Sequence, residues 1–434
     1  MHAPRELRFR PLNLGRWLVW GLTALLFVLL PLAFRQGFAL TLMSQMGIMI
    51  IFALSYNMLL GQSGMLSFGH AVYSGLGAFF AIHAMSAIAG GTLTWPISLL
   101  PLIAGAGAAL CGVVLGFLTT RRAGTPFAMI TLGIGEMVFA AALMFPELFG
   151  GEGGITGDRT SGPPFGGISS LTFGPQIQVY ALIAAWCFAC MIAMYALTQT
   201  PLGRIANAVR DNPERAEFIG YNAQRVRWLM LILSSFFAGI AGGLSAINFE
   251  IVVTAENVSA TRSGGVLLAA FIGGAAFFFG PILGAVVFTF FAVALSEYTK
   301  AWQLYLGVSF VLLVMFAPGG LSSLLLMNLR ALKFRKFGRL RDPYVGVLAA
   351  AAGMALGGAM LVELTYHVTL DAGQGSVLSL FGFPMDTNAA GPWAFAATVL
   401  LSSLAAFAFY QRGFRRSWET IQQEIENSDR DNPA

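Results

Sequence analysis

PLGRIANAVRDNPERAEFIGYNAQRVR, residues 201–227, is the longest charge-bearing run inside a chain that is otherwise almost continuously apolar. It holds five arginines (Arg204, Arg210, Arg215, Arg225, Arg227) and three acids (Asp211, Glu214, Glu217). Its middle carries helix punctuation. Asn212 suits an N-cap, Pro213 the first helical position, and Glu214 the positive end of the helix dipole. Gly220 supplies the stop, because glycine enters the left-handed conformation without steric cost. The run therefore predicts a short helix outside the membrane, with apolar Phe218 and Ile219 in a basic surround. Such an island is either a docking element for another protein or a solvated loop between membrane helices.

The flanks of the island decide the class. The 434-residue chain is 57% hydrophobic and 10% charged, with a mean hydropathy of +0.73. Soluble domains average about 25% charged residues. Apolar runs of about 18 residues or more recur along the chain, each long enough to cross a bilayer. Period-2 alternation, the mark of a membrane barrel, is absent. The fold class expected is an all-α polytopic membrane protein. The spans fall near 17–34, 38–60, 64–88, 97–118, 126–145, 177–197, 228–248, 264–278, 280–297, 302–318, 345–365 and 392–410, about 12 segments. The eighth is short enough to be re-entrant.

Charge tests this assignment. With the N-terminus in the cytoplasm, 21 of the 25 basic residues fall on inner segments, leaving Arg35, Arg159, Arg262 and Lys300 outside. That is a strong positive-inside asymmetry, and it puts the 201–227 island and both termini in the cytoplasm. The net charge of +5 is thus a matter of topology, not of nucleic-acid binding. No cleavage site follows the first apolar stretch convincingly, so it reads as a retained span. Cys111, Cys187 and Cys190 all lie in apolar runs. The CxxC at 187–190 has no second ligand pair or nearby histidine, so it reads as inert buried thiols, with no metal site.

Polar residues inside the spans mark candidate sites. Between the second and third spans, YNMLLGQSGMLSFGHAVYSGLGA (56–78) breaks the apolar run with five glycines and with Asn57, Gln62, Ser63, Ser67 and His70. Irregular backbone at membrane depth is tolerated only in packed protein or beside a wet cavity. The segment is then a wall of a permeation path or a site of close glycine packing. Glu136, in TLGIGEMVF, is the acid predicted deepest in a span. It is expected to face the bundle interior, since a lipid-facing carboxyl is costly. Outside, the Gly/Pro-rich loop 146–176 and the segment 249–263, with Glu250 and Glu256, lie where an extracytoplasmic partner arrives. Residues 264–288 are again glycine-rich. A basic linker, LRALKFRKFGRLRD, occupies 329–342, and beyond it come two spans with no charge predicted to be buried. GMALG at 353–357 reads as a packing motif.

Three stretches together resemble the permease subunits of branched-chain amino acid ABC transporters, the Liv-type permeases: FALSYNMLLGQSGMLSFGHAVYSGLGAFFA (52–81), LGRIANAVRDNPERAEFIGYNAQRVRWL (202–229), and the glycine-rich block ending GPILGA (280–285). The resemblance covers roughly residues 38–320. It implies that the island is a coupling loop seated in a groove of an ATPase, over Gly203, Arg204, Arg210, Asp211, Asn212, Pro213, Glu214, Ala216 and Gly220. It makes Asn57, Gln62, Ser67, His70 and Glu136 the candidates for the translocation path. It also implies the partners: ABC ATPase subunits carrying ATP and Mg, a second permease subunit (the same chain or another), and an extracytoplasmic solute-binding protein. The setting is the bilayer of a bacterial inner membrane.

The chain departs from the family pattern in two places. The family writes GGxGT before the GP dipeptide, where this chain has Gly273, Gly274, Ala275, Ala276 and Phe277, bulk in place of a small polar patch. The family also stops soon after APGGL (317–321 here), so residues 345–434 form an extra two-span hairpin and tail beyond the 321–344 linker. The chain has no GxxxxGKS or GxxxxGKT, so it carries no P-loop of its own. It also lacks HExxH, GxSxG and paired intramembrane acids, which argues against an intramembrane enzyme. A secondary carrier driven by an ion gradient is the alternative transporter. Zwitterions, amides and aromatic acids all suit a path with so little charge.

Overall fold

The computed structural model describes residues 14–162, 172–333, 337–370, 376–380 and 383–431. Arg5, Arg8 and Arg10, and residues 163–171 of the outer loop, lie outside the described residues. The chain divides into two compact units, residues 1–290 and 291–434.

The first unit is built from α1 (Leu14–Ala33), α2 (Gly37–Asn57), α3 (Ala71–Ala89), α4 (Leu100–Thr119), α5 (Thr125–Met144), α6 (Pro146–Phe149), α7 (Gln176–Gln199), α8 (Pro201–Asp211), α9 (Pro213–Phe218), α10 (Ala223–Phe249), α11 (Thr254–Asn257), α12 (Ala260–Gly273) and α13 (Gly280–Thr289). Helix α10 is its axis, packed against α2, α3 and α4. Small residues permit that closeness, as expected where lipid supplies no hydrophobic drive between helices. Gly239 lies on Ala108 and Gly105, Gly243 on Ala104, and Gly242 on the Ser74 carbonyl. Cys187 and Cys190 are buried free thiols on α7.

Helices α12 and α13 form an antiparallel hairpin, with Gly265 on Phe288, Gly284 on the Ala269 carbonyl and Gly273 on the Gly280 carbonyl. At 14 and 10 residues they are short for crossings, although α13 runs on into the π-helical stretch Phe290–Leu295. By length and apolarity the described residues contain eight membrane-spanning helices. They contain nine if α14 (Trp302–Phe316) and α15 (Gly320–Lys333), bent by 51°, make one span. The twelve segments read from the sequence coincide with helices, and eight or nine of the about 12 crossings expected have the length and apolarity of a span; α12, α13 and α14 are short alone, as is Leu18–Ala33, the apolar part of α1. Hydropathy marks apolar segments whether or not they traverse.

The outer segments are ordered where described. Strand β1 (Ile155–Thr156) pairs antiparallel with β2 (Ile251–Val252). Arg159 pins them from above: its backbone N–H donates to Glu250 Oε1 at 3.1 Å, and its guanidinium donates to the Phe173, Ile247 and Asn248 carbonyls. Beside it, the Thr160 hydroxyl, the Thr160 backbone N–H and the Ser161 hydroxyl donate to Asp158 and hold its carboxyl below the usual carboxylate range.

The second unit continues from α14 and α15 to α16 (Phe337–Leu370), strands β3 (Val377–Leu380) and β4 (Phe383–Asp386), and α17 (Ala390–Asp431). The 321–344 linker is therefore largely helical, within α15 and the start of α16. Helices α16 and α17 run antiparallel, with Gly346 on Tyr410, Gly353 on Ser403 and Gly357 on Leu400, so the 353–357 glycines do serve packing. These spans do carry a partly buried charge. Glu363 of α16 accepts from the Thr299 hydroxyl at 2.6 Å and the Tyr305 hydroxyl at 2.9 Å.

Candidate functional site

The island folds as two helices, not one. Thr200 caps α8 by accepting the Gly203 N–H at 3.3 Å, with Pro201 in the first turn. Gly203, Ala206 and Val209 are buried, while Arg204, Arg210 and Asp211 are exposed. Asn212 then caps α9 by accepting the Arg215 N–H at 3.0 Å, and Pro213 opens the helix, as the sequence predicts. Gly220, at φ +92°, ends it. The Tyr221 N–H bonds the Ala216 carbonyl (3.0 Å) and the Gly220 N–H the Glu217 carbonyl (2.9 Å), a Schellman stop. Phe218 and Ile219 project outward, 89% and 70% exposed, and Glu214 is exposed beside them. Ala216, which the resemblance includes in the coupling loop, is buried. In a six-residue helix only one side is free, and Ala216 lies on the side turned to the protein.

The polar break at 57–70 is buried and irregular. Helix α2 passes into a π-helical turn, Met58–Gln62, and regular helix resumes only at Ala71. Ser55 Oγ donates to the Phe52 carbonyl (2.7 Å), so it accepts the Nε2–H of His70 (3.0 Å). His70 stacks on Phe52 at 5.4 Å and meets the edge of Tyr56 at 5.3 Å. Its Nδ1 has no partner, and neither do Asn57 Oδ1, Gln62 Oε1 and Ser67 Oγ. Orphaned buried polar atoms are costly and rare in native proteins. Four on one short segment suit a place where water or a polar solute completes the bonding.

Sequence reasoning missed one residue here. Arg262, counted above as an outer charge, sits in the first turn of α12, its guanidinium 5.7 Å from the centre of the Phe52 ring, with Nε unpartnered. The signal was Ser259, whose side chain caps the helix and so starts it at Ala260 and not at 264.

Glu136 is where the expectation fails within the chain. Helix α5 docks on the break through the Thr131 hydroxyl, which accepts the Phe68 N–H at 3.1 Å, and through Gly135 against Gly69. Its buried stripe is Phe127, Ala128, Thr131 and Ala142. Glu136 follows Gly135 by one residue, about 100° around the helix. It is exposed, at the depth of the break but on the free face of α5. Phe277, the last residue of the stretch that stands for GGxGT, is exposed, and the two aromatics after it turn to α7 and α1. Phe278 and Phe279 pack on Tyr195 of α7 at 5.3 and 6.1 Å, and Phe279 on Trp20 of α1 at 6.0 Å. Among the described residues no cluster of three or more metal-ligating side chains occurs.

A match to the family "Branched-chain amino acid transport system / permease component" covers residues 38–317, which contain the break, α5 and the island. The chain belongs to this family of membrane transport permeases. It is 29% identical over 295 residues to the high-affinity branched-chain amino acid transport system permease protein LivM of Escherichia coli, covering 63% of this chain and 67% of that protein. It is also similar to the fructose import permease protein FrcC of Rhizobium meliloti, at 27% over 228 residues, 50% of this chain and 61% of that one. The guanosine ABC transporter permease protein NupQ of Bacillus subtilis is 32% identical over 107 residues, 24% of this chain and 32% of that protein. No solved structure matches the chain. The relatives are named as permeases, and the family match together with the long apolar helices makes this chain a multi-pass membrane protein.

Proposed function

We propose that this chain is the transmembrane permease subunit of an ATP-driven importer of small polar solutes, with branched-chain amino acids or related amino acids and amides as the first candidates. It acts in a bacterial inner membrane with both termini cytoplasmic. The ATPase is a separate chain that carries the ATP and Mg, and it grips the α8–α9 face from Gly203 to Gly220. A solute-binding protein delivers from outside, onto the segments joined by Arg159 and Glu250. The solute passes along Asn57, Gln62, Ser67 and His70, with Glu136 facing a second permease subunit across the path. Residues 345–434 are an accessory hairpin to this core.

The observation that carries the reading is the pair Phe218 and Ile219. Two large apolar side chains stand exposed on a capped, rigid turn among arginines, the form of a plug for an apolar groove. A probe at Ala216 would only damage the packing beneath. The informative variant is Phe218→Asp with Ile219→Asp, which changes surface alone. It should reach the membrane at wild-type abundance yet lose capture of the co-expressed ATPase and ATP-dependent uptake. Wild-type capture by that variant would reduce the island to a solvated loop.

A further inference from the structure

The island and the polar break meet at a single side chain. Arg210, near the end of α8, donates from Nη1 to the carbonyl of Gly61 in the π-helical turn. That carbonyl is available because a π turn takes a residue out of the ordinary i to i+4 pairing, and helix ends leave carbonyls orphaned. The contact is broad. The Arg210 side chain lies across the turn so closely that a Cβ added at Gly64 would stand 2.8 Å from its Cγ. Gly64 itself holds φ +68°, a conformation that restricts the position to glycine in practice.

On its other side the same turn touches two further elements. A Cβ at Gly61 would stand 2.5 Å from the Ala275 carbonyl, at the tip of the α12–α13 hairpin, and 2.5 Å from Asn57 Oδ1. Gly61 is thus wedged between the island, the hairpin tip and the first orphaned polar group of the break. A π turn is also a natural two-state element, since expelling its extra residue shifts the register of the chain downstream. Gln62 ends this turn, and the polar groups of Ser67 and His70 lie downstream of it.

We infer that Arg210 is a positioning residue that carries movement of the α8–α9 face into the π turn at Gly61, and through it to the polar break and the α12–α13 tip. This rests on the coupling reading above and assigns its route. Arg210 touches no solute; it sets the register of the segment that does.

The test uses the full chain with its ATPase and second permease in lipid nanodiscs. Ser67→Cys reports on the break through its rate of labelling by a charged methanethiosulfonate, with and without ATP and vanadate. In the otherwise wild-type chain that rate should change by about fivefold or more, the lower end of ordinary allosteric couplings. Adding Arg210→Ala should abolish the change in those nanodiscs that hold the ATPase. Gly61→Ala, which leaves the island surface untouched and drives the turn off the Ala275 carbonyl, should do the same. An ATP response of wild-type size in either variant, with the ATPase bound, overturns the relay. Loss of ATPase binding in Arg210→Ala combined with a normal response in Gly61→Ala also overturns it, making Arg210 a docking residue. A wild-type chain that captures no ATPase instead defeats the coupling reading itself.

Discussion

Helices α10 and α5 have the same mean hydropathy over their most apolar stretches, 1.9, yet 83% of that stretch is buried in α10 and 22% in α5. Hydropathy reports that a helix tolerates the bilayer, not what lies against it. The difference is in the small residues. Glycine and serine on α10 bring its backbone onto those of α3 and α4. On α5, Gly133 faces open space, and Glu136 stands exposed on a helix whose buried stripe is Phe127, Ala128, Thr131 and Ala142. On the function proposed above, an apolar, loosely held helix with an exposed carboxyl between its ends is the one that a second permease subunit would cover.

The largest effect that separates the two helices comes from adding bulk. Gly242→Val sets side-chain atoms into the Ser74 carbonyl and the backbone of α3, where nothing flexible can yield. Overpacking against rigid neighbours costs about 3 kcal/mol or more. The purified chain should lose most of its folded fraction in thermal unfolding. Gly133→Val meets no atom within 4 Å and should unfold as wild type does. Equal melting curves for the two variants would erase the comparison.

Next comes the cover over α5. A carboxyl left against lipid costs roughly 2.5–3.5 kcal/mol on the insertion scale for aspartate. A cysteine at position 136 should therefore react with a lipid-soluble maleimide when the chain is expressed alone, and be shielded when the second permease subunit is co-expressed. Glu136→Gln should leave the isolated chain folded while slowing uptake by the assembled transporter. Labelling unchanged by the second subunit would assign this face to lipid.

Much of this architecture is legible in the sequence, and the boundary is a physical one. Caps and stops act within a few residues, so Asn212, Pro213 and Gly220 can be read directly, and α9 has the start and end they specify. The break at 57–70 is equally plain, since glycines and polar groups inside an apolar run have few places to go. Rotation about a helix axis is not legible. Glu136 lies on the free face of α5 and not on the inward face the sequence predicts, because on a uniformly apolar helix periodicity carries no signal. Arg262 escapes the sequence reading because a span's hydropathy begins after its helix does. Contact between distant segments, such as Arg210 with Gly61, has no trace in local sequence.

A smaller effect belongs to the cap of α9. Asn212→Ala removes the acceptor for the Arg215 N–H, worth about 1 kcal/mol. Six residues cannot sustain a helix without help, so the backbone amides of α9 should exchange about fivefold faster while those of α10 are unchanged. Uniform protection in both would mean that packing of Ala216 alone holds the turn.

The smallest effect is expected from removing the hairpin. Among the eight described spans its helices are the least covered, with 17% of the apolar stretch of α16 and 6% of that of α17 buried. The side-chain bonds from it to Thr299 and Tyr305 converge on Glu363. Removing a partner from a hydrogen bond costs about 0.5–1.5 kcal/mol where the group left behind can reach water, and more where it cannot. Tyr305 is partly buried, so the loss is real but bounded. The cut belongs at Lys333, since a chain ended at Asp342 would leave a stub of α16 without its antiparallel neighbour. A chain ending at Lys333 should insert, capture the ATPase and support uptake at a rate within about twofold of wild type, which corresponds to less than about 1 kcal/mol. Loss of both insertion and capture would make α16 and α17 part of the transport core. Low burial within the chain would then mark the hairpin, like α5, as a surface waiting for a partner and not as an appendage in lipid.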